Sequence, residues 1–257
     1  MKRISILVLV LCACFVSVAW GQQPEGSADW TEFHRLDMVR VNPYEHVLNV
    51  HNVANLGLKW SYDTGYPISS SPAVANGVVY VGGLDDDRVY AVKASTGAKV
   101  WSYATGFIQF SSPAVANGVV YVGSYSHGDN VYALDASTGT KLWSYTTGNS
   151  VESSPAVANG VVYVGSGDNN VYALNAKTGA KLWSYTTANS VESSPAVANG
   201  VVYVSSEDNN VYALNAKTGA KLWSYATGSG VGSSPAVVNG VVYVSSEDNN
   251  VYAFGLK

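Results

Sequence analysis

The side chains able to carry chemistry are few and scattered. Asp85, Asp86 and Asp87, in the stretch GLDDDR (83–88), offer three carboxylates in a row, enough to suggest calcium. The stretch lacks the spaced oxygen donors and distal glutamate of a calcium-binding loop, so a solvated hairpin tip is the simpler reading. His34, His46 and His51 stand early in the chain at spacings that match no zinc pattern, and the fourth histidine, His127, is on its own. Both cysteines, Cys12 and Cys14, fall in an apolar N-terminal run. Neither a Ser–His–Asp set nor a pair of catalytic acids can be assembled, because nearly every Ser and Asp recurs at an equivalent place in a repeat. There is no glycine-rich phosphate loop. The expectation is therefore of no catalytic, cofactor-binding or metal-binding residues, and of no cofactor.

The elements that carry these residues are repeated. The eighteen residues DNNVYALNAKTGAKLWSY occur at Asp168–Tyr185 and again, unchanged, at Asp208–Tyr225. Trp60, Trp101, Trp143, Trp183 and Trp223 are spaced 41, 42, 40 and 40 residues apart, and Pro72, Pro113, Pro155, Pro195 and Pro235 keep the same spacing. Two markers in lockstep establish an internal repeat of about 40 residues. Each repeat holds four short runs rich in Val, Tyr, Leu and Trp, separated by turn formers such as Asn159-Gly160 and Lys177-Thr178-Gly179. Asn-Gly between two such runs marks a tight hairpin. Four antiparallel strands per repeat of this length predict an all-β fold, a five-bladed β-propeller of four-stranded blades. Runs such as VVYV, apolar on consecutive residues, fit sheets buried on both faces.

The last repeat stops at VYAFGLK and has three strands, while a spare tryptophan strand, Leu58–Tyr62, precedes the first full set. The economical expectation is that Leu58–Tyr62 pairs with Asn250–Phe254 and closes the ring, hiding the free edges.

The domain boundaries follow. Lys2 and Arg3 precede an apolar run from Ile4 to Ala19, and Ala19-Trp20-Gly21 makes a small-x-small cleavage site. Residues 1–21 are read as a signal peptide, 22–54 as a polar lead-in segment and 55–257 as the β-propeller. The run is short for a membrane span, so the cleaved protein is expected to be secreted or periplasmic and not integral to a membrane. Lipid anchoring at Cys14 is the alternative, suggested by LCAC, although the apolar FVSVAW beyond it makes a poor tether. With 47% apolar and 12% charged residues the chain can build a large core and is unlike a disordered one. A formal charge of −4 without a basic stripe argues against nucleic acid.

The fragments AVKASTGAKVW (Ala91–Trp101), ALDASTGTKLW (Ala133–Trp143) and ALNAKTGAKLW (Ala173–Trp183 and Ala213–Trp223) resemble the tryptophan-docking motif of quinoprotein-like (PQQ-like repeat) β-propellers, A-x-D-x-x-T-G-x-x-x-W. The aspartate position is kept at Asp135 and is Lys93, Asn175 or Asn215 elsewhere. The resemblance implies structural roles for Trp60, Trp101, Trp143, Trp183 and Trp223, each packed between blades. It likewise implies that Gly97, Gly139, Gly179 and Gly219 form the enabling turns. The family includes pyrroloquinoline quinone dehydrogenases, with eight blades, a vicinal cysteine pair and a bound calcium. It also has a non-enzymatic branch, which includes the lipoprotein propeller of the outer-membrane barrel-assembly machinery. Five repeats and no cysteine after residue 21 make this chain resemble the second branch.

Where the copies differ is more informative than where they agree. The loop between second and third strands counts 8 residues from Val81 to Val89, 9 from Val122 to Val131, and 7 in the other repeats. The loop into the next blade also varies, from GFIQFS (106–111) to GNSVES (148–153), and in a propeller the two share a face. Asp85, Asp86, Asp87, Arg88, Phe107, Gln109, Phe110, Tyr125 and His127 form the candidate interaction face, since aromatics beside charge are typical interface anchors. Loop drift after duplication is the competing account. The function expected is a non-catalytic scaffold that binds a protein or another envelope component. The alternatives are a quinone-dependent oxidoreductase and a multivalent carbohydrate-binding propeller, for which near-identical blades would supply avidity.

Overall fold

The computed structural model describes residues 46–125 and 129–256. The expected signal peptide, most of the lead-in, and His34 and His127 lie outside them. Blade one consists of Ala73–Ala75, Val78–Gly82, Arg88–Lys93 and Lys99–Ala104. Blade two is Ala114–Ala116, Val119–Gly123, Asn130–Asp135 and Lys141–Thr146; blade three is Ala156–Ala158, Val161–Gly165, Asn170–Asn175 and Lys181–Thr186. Blade four is Ala196–Ala198, Val201–Ser205, Asn210–Asn215 and Lys221–Ala226. Each is an antiparallel sheet in sequence order. Blade five has three strands, Ala236–Val238, Val241–Ser245 and Val251–Gly255.

Local chemistry sets each piece. The first hairpin of blade three turns at Asn159 (φ 50°) and Gly160 (φ 75°), the two left-handed residues a tight hairpin demands. Its register is Tyr163 opposite Ala156 and Ala173. In the outer strand the register slips between Ala173 and Leu174, so Trp183 faces Ala173 while Lys181 faces Leu174. The same bulge recurs in blades one, two and four, adding local twist to each outer edge.

The blades stack like leaves, first strand beside first strand. One face of each blade meets the opposite face of the next, and four apolar clusters fill the four junctions. Between blades three and four, Tyr163, Val171, Ala173 and Trp183 meet Val202, Val204, Tyr212 and Leu214. Each fully buried valine there contributes about 1.5–3 kcal/mol. Burial on both faces is why the strands read as unbroken apolar runs.

Polar bonds repeat at the same junctions. The Ser71 N–H donates to Ser112 Oγ, Ser112 N–H to Ser154 Oγ, Ser154 N–H to Ser194 Oγ and Ser194 N–H to Ser234 Oγ, each at 2.9 Å. At the outer edge, the Trp101, Trp143 and Trp183 indole N–H groups donate to the carbonyls of Ala136, Ala176 and Ala216 in the next blade, again at 2.9 Å. Those carbonyls also accept from the hydroxyls of Tyr80, Tyr121 and Tyr163. The indoles lie on Gly139, Gly179 and Gly219, where φ is 72–74° and an added Cβ would stand 2.6–2.7 Å from the ring. Asn175 and Asn215 accept the N–H groups of the same turn through Oδ1, as Asp135 does, so the amide replaces the motif's carboxylate without loss of the cap.

Ring closure through Leu58–Tyr62 is not what the structure shows. These residues form no strand, and blade five keeps three. Trp60 instead docks on blade one, donating to the Ala94 carbonyl at 2.9 Å and lying on Gly97. Blade five is buried on alternate residues alone: Val242 and Val244 face blade four, while Val251 is 77% exposed. The five blades form an open arc. Trp223 packs edge-on against Phe254, ring centroids 4.9 Å apart.

Candidate functional site

The varied loops gather on one face, and the structure divides the candidate residues. Asp86 and Asp87 belong to the framework. Asp86 accepts the Tyr90 hydroxyl through Oδ2, and burial together with Asp86 pushes the Tyr90 hydroxyl up to about 12. Asp87 takes a left-handed turn, φ 60°, and its carbonyl accepts the Thr105 N–H at 2.7 Å. Asp168 and Asn169 perform the same pair of tasks in blade three, with Tyr172 and Thr187. Of the acidic run only Asp85 is free of the repeat pattern, and it is exposed. Arg88 is also exposed and reaches the Ser102 hydroxyl at 3.5 Å.

The aromatic residues meet at the junction of blades one and two. Phe107 and Tyr125 stack at a tilt, centroids 5.6 Å apart, and the Tyr125 N–H donates to the Phe107 carbonyl at 2.6 Å. Between Phe107 and Gln109, Ile108 is fully buried against Gly82. Val151 and Val191 hold this place against Gly123 and Gly165. By sequence alignment Val151 matches Gln109, not Ile108, so the anchor has moved one residue earlier. The residue gained between the anchor and Ser111 is accommodated in a bend that puts Phe110 at φ 65° and 58% exposed. A bulky side chain in left-handed backbone is strained. Gln109 sits half-buried beside it.

The sequence reading missed the acidic side of this face. Glu152, Glu192, Glu207 and Glu247 sit in the corresponding loops of blades three to five. Burial, then the charge of Glu192, holds the Glu152 carboxyl above its ordinary value. Burial, then Glu192 and Glu247, does the same for Glu207. Their signal was present in VES and SED, but repetition made them look like framework.

Three loop pairs, at the junctions from blade two to blade five, are each clasped by an aspartate. Asp168 Oδ2 accepts the Tyr172 hydroxyl at 2.6 Å and the Gly148 N–H at 2.7 Å. Burial acts to raise its carboxyl, yet the bonds from Tyr172, Gly148, Asn170 and Ser166 outweigh it and leave the group below the ordinary value. Asp208 with Tyr212 and Ala188, and Asp248 with Tyr252 and Gly228, repeat the clasp. The Tyr252 hydroxyl, above all, lowers Asp248 to about 2.

Among the described residues no three His, Cys, Asp or Glu side chains gather as a metal-donor set. The inner serines are committed: Ser153 and Ser193 to carbonyl and N–H partners of their own blades, and Ser111 to the Gly123 N–H and, across the junction, the Ser153 carbonyl. No helix among the described residues is long and apolar enough to cross a membrane.

The model of the family described as outer membrane protein assembly factor BamB matches residues 48–124, 109–194 and 187–257. No curated protein sequence matches the chain. Among solved structures, BamB from Moraxella catarrhalis is 21% identical, with a TM-score of 0.67 over 77% of this chain and 61% of that one. The quinohemoprotein alcohol dehydrogenase ADHIIG from Pseudomonas putida HK5 is also 21% identical, with a TM-score of 0.70 over 89% of this chain and 48% of its own. A computationally designed protein, Ika8, is 18% identical, with a TM-score of 0.61 over 72% and 57%. At these identities the likeness is one of fold, and this chain spans about half to three fifths of the length of each.

Proposed function

On the premise that the chain belongs to the family of the outer membrane protein assembly factor BamB, we propose that it is a non-catalytic scaffold of the bacterial cell envelope. It binds a protein partner through its varied face. The observation that carries this reading is the Phe107–Phe110–Tyr125 group. The fold holds an exposed aromatic in a strained conformation, at a junction where the other blades carry small polar or acidic residues. Strain retained on an exposed aromatic fits a surface kept for contact rather than for packing. The near identity of blades three to five also speaks against catalysis, which needs unlike groups in fixed roles. Location in the periplasm or outer envelope, after removal of residues 1–21, belongs to the same proposal.

The test is affinity capture from a bacterial envelope extract with the wild type and with Phe107→Ala/Phe110→Gly/Tyr125→Ala, bound proteins being identified by mass spectrometry. Glycine suits the backbone at position 110, so this variant should melt near the wild type. Recovery of outer membrane assembly proteins by the wild type alone supports the reading; equal recovery by both overturns it. Quinone-type absorbance with dye reduction after adding pyrroloquinoline quinone and calcium would favour the oxidoreductase alternative. Selective glycan binding that survives the triple variant would favour the carbohydrate one.

A further inference from the structure

The two ends of the arc are halves of a single blade junction. On blade five, Tyr243 and Val251 point away from blade four and are 39% and 77% exposed. The residues in their places on blade three, Tyr163 and Val171, are buried by the next blade. On blade one, Val79 and Val81 of the opposite face are only half-buried, whereas Val202 and Val204, their counterparts on blade four, are fully covered. Nothing in the apolar pattern distinguishes this unmade junction from the four made ones.

The polar bonds are split between the ends in the same way. The Ala136, Ala176 and Ala216 carbonyls each accept a tryptophan N–H and a tyrosine hydroxyl from one preceding blade. The Ala94 carbonyl of blade one accepts the Trp60 N–H, and no tyrosine hydroxyl donates to it among the described residues. In the repeat, Tyr243 is the residue that would. Trp60 therefore stands for the outer strand, and Tyr243 for the second strand, of the same missing blade. The serine series ends likewise. Ser194 donates to Ser234, and among the described residues no serine hydroxyl accepts the Ser234 N–H. Ser71 begins the series, with its hydroxyl in the position that receives such a donor in every later blade. Blade five lacks the outer strand that Leu58–Tyr62, spelled LKWSY against KLWSY, resembles.

We propose that these ends meet between two copies of the chain. Blade five of one copy and Leu58–Tyr62 of the next then form one composite four-stranded blade. The contact is head-to-tail, so each copy uses a different surface. Closure within one chain would use the same groups, yet within the single chain Val251 stays 77% exposed and Leu58–Tyr62 joins no sheet.

Solution mass of the purified chain by light scattering and analytical ultracentrifugation tests this. The wild type should form multiples of the single chain, growing with concentration. Val251→Arg alone, and Val79→Arg alone, should each remain a single chain. An equimolar mixture of the two should form a one-to-one dimer and nothing larger, because one intact end survives on each. A second pair, Tyr243→Glu and Val74→Glu, repeats the test should either arginine variant misfold. A wild type that stays a single chain at all concentrations overturns the proposal, whether it has closed on itself or stays open. Either arginine variant dimerising alone overturns it too, since that requires a symmetric contact.

Discussion

The docking of each tryptophan on the glycine of the next blade makes a measurable demand at Gly179. Gly179→Ala forces alanine to φ 72° and brings its Cβ within 2.7 Å of Cδ2 and Cε3 of Trp143. The left-handed backbone costs alanine about 1 kcal/mol. Displacing the indole adds about 1–3 kcal/mol of overpacking. Loss of the Trp143 bond to the Ala176 carbonyl adds about 0.5–1.5 kcal/mol. The expected total is about 3–5 kcal/mol. Gly160 supplies the control, because its φ is 75° and an added Cβ meets nothing within 4 Å. Gly160→Ala should cost only the backbone part, about 1 kcal/mol. Urea unfolding followed by circular dichroism measures both, and tryptophan emission should shift to the red in Gly179→Ala alone. Equal losses in the two variants would refute the claim that the glycine is required by the neighbouring indole.

Other consequences are as direct. Ser154→Ala removes the acceptor of the buried Ser112 N–H and should cost about 1–3 kcal/mol in unfolding free energy. Ser71→Ala should cost much less in the single chain, since among the described residues no backbone N–H donates to its hydroxyl. Asp168, Asp208 and Asp248 have folded values below the ordinary aspartate value. Their stabilisation is thus complete above about pH 4 and is lost as the pH falls through the folded values, about 2 for Asp248. Melting temperatures should fall over that range, and less steeply in a Tyr172→Phe/Tyr212→Phe/Tyr252→Phe variant. Glu207 is raised instead, so its charge weakens the fold as the pH rises through its folded value. Glu207→Gln should therefore melt about 1 °C higher at pH 7 and no higher at pH 4.

Period and strand content were legible because they rest on local chemistry: Asn-Gly turns, β-branched runs, and a tryptophan at fixed distance from Thr-Gly. What the sequence hid depends on distance or on a small change of register. Asp86 and Asp87 looked distinctive as a run of acids, yet each performs a task that Asp168 and Asn169 perform elsewhere. Ile108 carries the opposite lesson. A shift of one residue in its loop, invisible to letter-by-letter alignment, turns Phe110 outward. The serine series links residues 40–42 apart through backbone N–H groups, and a backbone donor leaves no mark in a sequence. Closure failed as an expectation because strand counting says which edges are complementary but not how far apart the blade-to-blade turn leaves them.

The interchangeability of the junctions bears on how such a chain can change length. Both faces of blade three match both faces of blade four almost letter for letter. An unequal crossover within the corresponding gene, adding or removing one repeat, would therefore insert or delete a blade whose neighbours already fit it. A sealed ring would resist this, since every added wedge must alter all the angles. An open arc has no such quota. In the head-to-tail assembly proposed above, gaining or losing one internal blade leaves both terminal surfaces in place.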